Sequence, residues 1–526
     1  MNQTFGNTLL LSEEASGVVH SNARAFDSAA SPMCRRGLRT RIVALAIAAI
    51  ACVPGRGLAA YPETEPPPAK ATDPGSITSR YEAAAKRIID AALADNNAYG
   101  RLEELCVEIG HRLSGSPALD RAIRWAVDNL KKDGHENVRT EEVMVPKWVR
   151  GAESAMLLEP RKEALFILGL GGSVGTPPEG ITAPVAVVSD EDELETLGDG
   201  ARGKIVLFNN PMPEYDPVRG SGYGTTVRFR HHGARLAAAQ GAVACLVRSV
   251  TANSMRSPHT GMLSYADAET KIPAAAVTTE DANTIAALQE RGVPVVVNLK
   301  MEAKQFPDVP SANVIGELRG SVWPDEVVVI GGHIDTWDVG HGAHDDGGGC
   351  VIAMEAISVL RRLGMIPKRT IRVVLWTNEE NGLRGGKAYA KDHAGEMPNH
   401  VAAIESDSGV FRPTGYSTEC EDPQRERIVV QQMQEIVKLL APLGPMNVRS
   451  GDAGADIGPM KTAGVVLLGH NVDGSRYFDY HHTHADTIDK VDPTELSQNV
   501  AALATVAYVL ADMPQRLGSQ PDHASR

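Results

Sequence analysis

Four apolar stretches in the second half of the sequence end in side chains that could bind metal ions. The stretches and the side chains that follow them are VVVIGGHID with His333 and Asp335, IRVVLWTNEE with Glu379 and Glu380, VAAIESD with Asp407, and VVLLGHNVD with the histidine-rich turn YHHTHADT. In open α/β sheets, ligands bind beyond the carboxyl ends of the strands. Polar residues at these positions therefore carry more weight than the same residues elsewhere in a chain.

Each of these residues is weak evidence by itself, because an acidic pair after a strand is usually a solvated loop and a single histidine is usually structural. Together they supply histidine, aspartate and glutamate side chains without a thiolate, the ligand type expected for catalytic zinc or manganese rather than for structural zinc. Two divalent ions, three carboxylates and a hydroxide that bridges the ions would together carry no net charge. Such a site can lie in a partly buried cleft.

The elements that must position these residues are indicated by the pattern after Asn313, where apolar strands and helices alternate. This alternation predicts an α/β fold with a largely parallel sheet that is covered by helices on both faces. Before it, from about residue 159 to 304, short β-like runs are separated by Gly, Pro and Asp turns, which predicts a separate, mainly β inserted domain. We therefore predict an N-terminal part of the main domain at 75–158, the insert at 159–304, the rest of the main domain at 305–515, and a tail at 516–526.

The composition is that of a folded protein that does not bind nucleic acid. The chain has 526 residues, which is too long for one ordinary domain, and 43% of them are hydrophobic while 22% are charged. Its formal net charge of −14 would repel phosphate backbones and anionic lipids. The six cysteines are far apart and form no CxxC pair, so they indicate neither a thiolate zinc site nor a redox motif. Whether any of them pair is left open.

The N-terminus resembles an export signal. Several arginines from Arg35 to Arg41 precede the apolar run IVALAIAAIA, as in the basic and apolar regions of a signal peptide. The run is too short to span a bilayer, so we predict a leader and signal peptide at 1–60, a mature protein without a membrane span, and a periplasmic or secreted location. Met33 is an alternative start, and Cys52 in a poor lipobox leaves lipoprotein anchoring open.

The motifs in the second half of the chain resemble those of a known family. They are GGHIDTWDVGHGAHDDGGG (331–349), TNEENGLRGG (377–386), ESDSG (405–409) and YHHTHADT (480–487). In this order and spacing they are similar to the motifs of the two-zinc aminopeptidase superfamily of metallopeptidases, and in particular to its plasma glutamate carboxypeptidase branch. The insert resembles a protease-associated domain through AVACLVRSV and SPHTG. The resemblance implies a doubly wound zinc exopeptidase fold over nearly all of the chain after about Ile77.

The resemblance also implies the ligands of two zinc ions, for which Mn²⁺ or Co²⁺ could substitute. His333, Asp345 and Asp407 would bind the first ion, while Asp345, Glu380 and His482 would bind the second, with Asp345 as the bridge. His482 is preferred to its neighbouring histidines because the family pattern reads H-x-x-x-D-T. The family further implies a cis peptide bond between Asp345 and Asp346.

Further roles follow from the resemblance. Glu379 is the expected catalytic base, and Asp335 matches a carboxylate that orients His333 through its other ring nitrogen. His481 is expected to face the substrate oxyanion, with Tyr480 and Tyr477 as alternatives. Cys350 beside the first motif is expected to serve packing only.

The predicted function is that of an exported exopeptidase acting on dipeptides or on the N-terminal residue of short peptides. The insert is expected to shape and close the substrate cleft, and the resemblance implies a homodimer. Two alternatives are a glutaminyl cyclase, which uses a related fold with one zinc, and a non-catalytic, receptor-like binding module that has lost its metal ligands. The complete ligand set and the insert favour the peptidase.

Overall fold

The computed structural model describes residues 75–519 except 218 and 267. The predicted leader and signal peptide at 1–60 lie outside the described residues, as does most of the predicted tail. The twelve α-helices of the described part are α1 Ile77–Leu93, α2 Asn97–Glu104, α3 Pro117–Lys132, α4 Glu191–Leu197, α5 Tyr223–Thr226, α6 Arg228–Ala239, α7 Thr279–Glu290, α8 Gly348–Arg362, α9 Arg384–Asp392, α10 Pro423–Val437, α11 Tyr477–Tyr480 and α12 Pro493–Asp512.

Sixteen strands in the same part of the chain form two sheets. They are β1 Glu136–Val149, β2 Glu153–Glu159, β3 Glu163–Leu165, β4 Ile167–Gly169, β5 Ile181–Val188, β6 Ile205–Phe208, β7 Ala244–Arg248, β8 Ala274–Val277, β9 Val296–Met301, β10 Lys304–Leu318, β11 Trp323–His333, β12 Arg369–Trp376, β13 His400–Glu405, β14 Pro413–Glu419, β15 Asn447–Ser450 and β16 Val466–Val472.

The main sheet has eight strands in the order β1-β10-β12-β11-β13-β16-β14-β15. Its four central strands, β12, β11, β13 and β16, are parallel, as the alternation of strands and helices predicted. Antiparallel pairs occur towards the edges, where β10 joins β1 and β12, and where β14 joins β16. The residues of β12 and β13 are all buried, which is typical of parallel strands covered on both faces.

Helices cover both faces of this sheet. One face of the sheet forms a large hydrophobic core with residues of α1, α2, α3, α8, α10 and α12. Tyr389 of α9 belongs to a smaller core, which includes strand side chains that point to the other face. Helix α8 is buried on nearly all sides because it lies between the sheet and outer helices. The predicted apolar stripe of α3, namely Leu119, Ile123, Ala126 and Leu130, is buried as expected.

The second sheet has the order β3-β2-β9-β5-β6-β7-β8-β4 and is built only from residues 153–301. This range begins six residues and ends three residues before the predicted 159–304, and we call it the insert from here on. The insert lies in the chain between β1 and β10 of the main sheet. It contains α4 to α7 as well as strands, so the expectation of a mainly β region is wrong in its proportions. The buried apolar residues of α6 and α7 are mostly alanines, which gave the sequence little helical periodicity.

Two further features concern cysteines and membranes. The four cysteines in the described part of the chain, Cys106, Cys245, Cys350 and Cys420, are not paired, and the first three of them are buried. Of the helices that the structure describes, none is both long enough and apolar enough to cross a membrane.

Candidate metal centre

The ends of the central strands bring the predicted residues to one edge of the main sheet. Strand β11 ends at His333, which pairs in register with Trp376 at the end of β12, three residues before Glu379. Gly331 of β11 pairs with Glu405 of β13, two residues before Asp407. Because the strands are parallel, these side chains emerge on the same edge, as the sequence predicted.

His333 is the centre of a first group of ligand atoms. Its Nε2 atom lies 3.2 Å from Oδ1 of Asp345 and 3.6 Å from Oδ1 of Asp407. The imidazole is 1% exposed, so these contacts lie out of bulk water. The three residues predicted for the first ion are therefore together.

A second group forms around His482. Its Nε2 atom lies 3.2 Å from Oδ2 of Asp345 and 3.0 Å from Oε2 of Glu380. The other oxygen of Glu380 accepts the backbone N–H of Trp337 at 3.2 Å. Since its two oxygens face different imidazoles, Asp345 lies between the two groups, in the position of a bridging ligand.

The chemistry of these atoms fits divalent cations. Oδ2 of Asp345 and Oδ1 of Asp407 are buried and have no hydrogen bond to the residues that the structure describes. Burial disfavours a charged imidazole, yet the Glu380 and Asp345 carboxylates outweigh burial and raise the pKa of His482 to about 10. The pKa of His333 is likewise raised well above its ordinary value, because Asp407 and Asp345 outweigh burial. A positive charge between these buried carboxylates would therefore stabilise them. Neutral imidazoles and carboxylates are together a set of ligands that binds zinc.

Two neighbours of the predicted ligands also face these groups. Ligand atoms of Asp345, His481 and His482 lie within 4.8 Å of one another, as do those of His333, Asp346 and Asp407. However, Oδ2 of Asp346 accepts the backbone N–H of His333 and its Oδ1 accepts that of Gly349, both at 3.0 Å. Asp346 therefore braces the loop that carries the ligands, a role that the sequence reasoning missed.

The loop that carries Asp345 is held by Asp486, the aspartate of the H-x-x-x-D-T pattern. Its carboxylate accepts the backbone N–H groups of Ala343, His344 and Asp345 at 3.1, 2.8 and 3.1 Å. Three donors on one buried carboxylate fix the backbone that presents the bridging side chain. The peptide bond between Asp345 and Asp346 is cis, which confirms that prediction.

Glu379, the predicted base, follows β12 beside the first group. Burial and the nearby carboxylates of Asp407 and Glu380 raise its pKa well above the usual range, although His333 opposes them. Its backbone N–H donates to Oδ1 of Asp335 at 3.0 Å. Asn378, the residue before Glu379, has a φ of 64°, in the left-handed region. The chain therefore turns sharply between the end of β12 and Glu379.

Asp335 contacts His333 through a different atom from the expected one. Nδ1 of His333 lies 2.9 Å from the backbone carbonyl of Asp335 but 3.9 Å from its carboxylate. The carboxylate faces away because it accepts the N–H of Glu379 and, at 3.1 Å, the hydroxyl of Ser114. The residue predicted to orient His333 therefore does so with its backbone, while its side chain anchors Glu379.

The three candidates for the oxyanion role have different surroundings. The His481 ring stacks on His482 at 3.5 Å, with Nε2 3.7 Å from Oδ2 of Asp345. The Tyr477 ring lies 5.1 Å from that of His481, and burial together with the Asp345 and Asp407 carboxylates raises the pKa of Tyr477 well above its ordinary value. Tyr480 instead contacts Arg476 through its hydroxyl and stacks on His344. The geometry therefore favours His481 and Tyr477 over Tyr480.

Cys350 lies under the centre rather than in it. The side chain is fully buried, and its Sγ is 3.1 Å from the backbone carbonyl of His333. Burial raises the pKa of the thiol well above its ordinary value. A protonated thiol in this position fits the expected packing role.

The insert lines the approach to the centre. Tyr223 of α5 stacks on Phe478 at 4.9 Å and meets the edge of His481 at 5.4 Å. Tyr223, Phe478, Tyr477 and Ser408 line a cavity of about 830 Å³ between the insert and the main domain. Three of these residues, Tyr223, Tyr477 and Phe478, contact the ring of His481, and Ser408 directly follows Asp407.

Comparisons with known proteins agree with these features. Residues 313–507 match the model of peptidase family M28. The chain is 45% identical to mouse (Mus musculus) carboxypeptidase Q over 442 residues, which cover 84% of this chain and 91% of that protein. It is 44% identical to human (Homo sapiens) carboxypeptidase Q over 436 residues, which cover 82% and 90%.

Solved structures show the same fold. The peptidase M28 precursor from Shewanella amazonensis is similar with a TM-score of 0.79 and 36% identity, over 84% of this chain and 99% of that one. A zinc aminopeptidase from Bacillus subtilis matches with a TM-score of 0.58 and 19% identity, over 80% and 96%.

Proposed function

The chain belongs to peptidase family M28 and is a zinc metallopeptidase, and within this class we propose that it is an exported two-zinc exopeptidase for dipeptides or the N-terminal residue of short peptides. The observation that carries the proposal is the placement of Asp345, whose two oxygens each lie 3.2 Å from a different imidazole. In a single-metal site, the second imidazole and Glu380 would have no ligand role. We assign His333, Asp345 and Asp407 to the first ion, and Asp345, Glu380 and His482 to the second.

Zinc, when bound, lowers the pKa of a coordinated water and polarises the scissile carbonyl. The chain supplies the proton transfer: the Glu379 carboxylate accepts the proton of the attacking water and delivers it to the nitrogen of the leaving amine. Asp335 keeps Glu379 in place through the hydrogen bond to its N–H. No serine or cysteine nucleophile is needed in this scheme, in keeping with the buried, protonated Cys350.

His481 is our first candidate for stabilising the developing oxyanion, and Tyr477 is the second. Burial and the neighbouring His482 hold the pKa of His481 well below its ordinary value, so its ring is neutral and carries one N–H donor. An N–H or O–H donor that is already in place stabilises negative charge most when water is excluded.

Short substrates fit the approach between the insert and the main domain. We propose that residues 159–304 are a protease-associated domain whose Tyr223 forms part of the roof over the cavity of about 830 Å³. A space of this size takes a ligand of a few residues, not a folded chain. A variant in which Tyr223 is replaced by Ala should discriminate less between dipeptides and longer peptides.

Export and homodimerisation are further parts of the proposal. The signal-like segment before residue 60 supports export, and the family resemblance supports a dimer. N-terminal sequencing of the protein from culture fractions tests the first. Sedimentation of the purified protein tests the second, and a stable, active monomer would reject the dimer.

The central experiment compares dipeptides with a free and with an acetylated N-terminus, before and after removal of zinc. We expect hydrolysis of the free dipeptides only, loss of activity with a chelator, and recovery with zinc. A glutaminyl cyclase would instead form pyroglutamate from an N-terminal glutamine, and a binding module would release no amino acid. Either result would overturn the proposal.

A further inference from the structure

The insert touches His482 of the second metal group through residues 259–261, in the loop between β7 and β8, and through Arg230 of α6. The backbone N–H of Thr260 donates to the carbonyl of His482 at 3.0 Å. In the opposite direction, Nδ1 of His482 lies 3.2 Å from the carbonyl of Thr260. With Nε2 of His482 on a metal ion, Nδ1 would carry the ring hydrogen and donate a hydrogen bond to the Thr260 carbonyl.

Thr260 is itself fixed from several sides. It is fully buried, and its hydroxyl donates to the carbonyl of Gly169 at 2.8 Å. Arg150 donates to the same hydroxyl at 3.4 Å and also pairs with Asp338, in the loop between β11 and α8. The Thr260 carbonyl, which faces Nδ1 of His482, is therefore held by contacts on both sides of the boundary between insert and main domain.

Gly261 allows the closest packing in this segment. Its φ of +143° is one that side-chain-bearing residues rarely adopt, and a Cβ atom there would lie 2.4 Å from Cζ of Arg230. The Arg230 guanidinium is buried, with Nη1 3.4 Å from Nδ1 of His482. A methyl group at residue 261 must therefore displace either Arg230 or the Thr260 carbonyl, and both lie against the ring of His482.

The backbone of His482 needs such support. Its φ of 62° lies in the left-handed region, which is unfavourable for a residue with a β-carbon. Strained conformations of this kind persist where the surroundings over-determine them. The paired hydrogen bonds to Thr260 hold both the carbonyl and the ring of this residue.

We propose that the insert is a working part of the second metal site: the Thr260 backbone holds His482 in its ligand position, so docking of the insert and binding of the second zinc stabilise each other. This inference rests on the proposed ligand role of His482 and goes beyond the proposed roof over the cavity. Thr260 is a positioning residue, since it acts through His482 and touches neither metal nor substrate. By linkage, each of the two events strengthens the other by the same factor.

The test is zinc binding by Gly261→Ala, with Gly292→Ala as the matched control. Gly292 also lies in the insert at a positive φ of +71°, but a Cβ there meets no atom within 4 Å. Bound zinc per chain is measured against buffered free zinc. We expect the second zinc of Gly261→Ala to bind about 10- to 100-fold more weakly, as for other lost outer partners of metal ligands, with the first zinc unchanged. Gly292→Ala should match the wild type, and excess zinc should restore the activity of Gly261→Ala.

A second measurement on the wild type does not depend on the folding of any variant. Hydrogen exchange of the Thr260 amide should accelerate when zinc is removed, while the amides of α7 in the same insert keep their rate. Unchanged exchange at Thr260, or identical zinc binding curves for Gly261→Ala and the wild type, would overturn the inference.

His482→Ala separates this inference from the ligand assignment. If His482→Ala loses one zinc while Gly261→Ala keeps both at wild-type affinity, only the role of Thr260 is wrong. If His482→Ala also keeps both ions, the ligand assignment of the proposed function is wrong, and the inference falls with it.

Discussion

The amide nitrogen of Glu379 lies 3.0 Å from Oδ1 of Asp335. The Asp335 carboxylate, just after β11, therefore holds the backbone of Glu379, just after β12. Asp335 is completely buried, and its other oxygen is occupied by the Ser114 hydroxyl. The position of the proposed base therefore depends on a side chain that touches neither ion nor substrate.

This relationship predicts different outcomes for two substitutions of Asp335. Asp335→Ala removes the acceptor for the Glu379 N–H and should lower kcat by about 10- to 100-fold with little change in KM. Asp335→Asn keeps an oxygen that can accept this hydrogen bond, so it should retain more of the activity. Steady-state kinetics of both purified variants check this, with zinc content as the control. Equal loss in the two variants would argue that the charge of Asp335, not its hydrogen bond, matters.

The sequence predicted the strand ends well because the relevant rule is local. An apolar run followed by a polar residue places that residue at the edge of a parallel sheet, and this was enough to bring together His333, Glu379 and Asp407. The partners of Thr260 and Asp335 could not be predicted in the same way. Thr260 meets His482 across 222 positions of the sequence, and the choice between carbonyl and carboxylate of Asp335 depends on where Ser114 lies.

The insert shows a second limit of sequence patterns. The short β-like runs of the insert include β6 (Ile205–Phe208) and most of β7 (Ala244–Arg248), because buried strands consist of consecutive apolar residues. Helix α6 buries Phe229 and small residues such as Ala234 and Ala237, and such a face has little contrast with the rest of the helix. Its formation depends on packing against the sheet, which periodicity does not reveal.

Buried neutral histidines away from the metal centre predict loss of stability in acid. His470 is buried beside Asn499, and burial lowers its pKa to about 4 despite this hydrogen bond. Its folded pKa is below the unfolded value, so its contribution is complete above pH 6.5 or so and is lost as the pH falls towards 4. Between pH 7 and 5 this amounts to roughly 2 kcal/mol.

His470→Gln tests this contribution because glutamine does not titrate. Urea unfolding at pH 7 and pH 5 should show a smaller decrease in the free energy of unfolding for the variant than for the wild type. Its stability at pH 7 is expected to be lower, since the shape of a buried ring is lost. The same pH dependence in both proteins would show that other groups account for the acid sensitivity.

Removal of zinc should destabilise the protein as well as inactivate it. Without cations, the carboxylates of Asp345, Asp407 and Glu380 repel one another in a buried site. A site filled at 100 times its Kd adds about 2.7 kcal/mol to the free energy of unfolding. Thermal unfolding with a chelator should therefore give a lower Tm, and added zinc should restore it. Asp345→Asn, which weakens both sites, is the control and should respond much less to the chelator; an equal response would place the stabilising ion elsewhere.

The adjacent glutamates provide the sharpest test of the mechanism, because a base and a ligand fail in different ways. Glu379→Gln should keep both zinc ions yet lose several orders of magnitude in kcat, since an amide cannot accept the proton of the attacking water. Glu380→Gln should lose the second zinc, because a neutral amide oxygen is a much poorer ligand than a carboxylate, and excess zinc should restore part of its activity. Zinc content and dipeptide hydrolysis of both variants decide between these roles. If Glu379→Gln keeps near-normal turnover, Glu379 is not the base and the proposed mechanism is wrong.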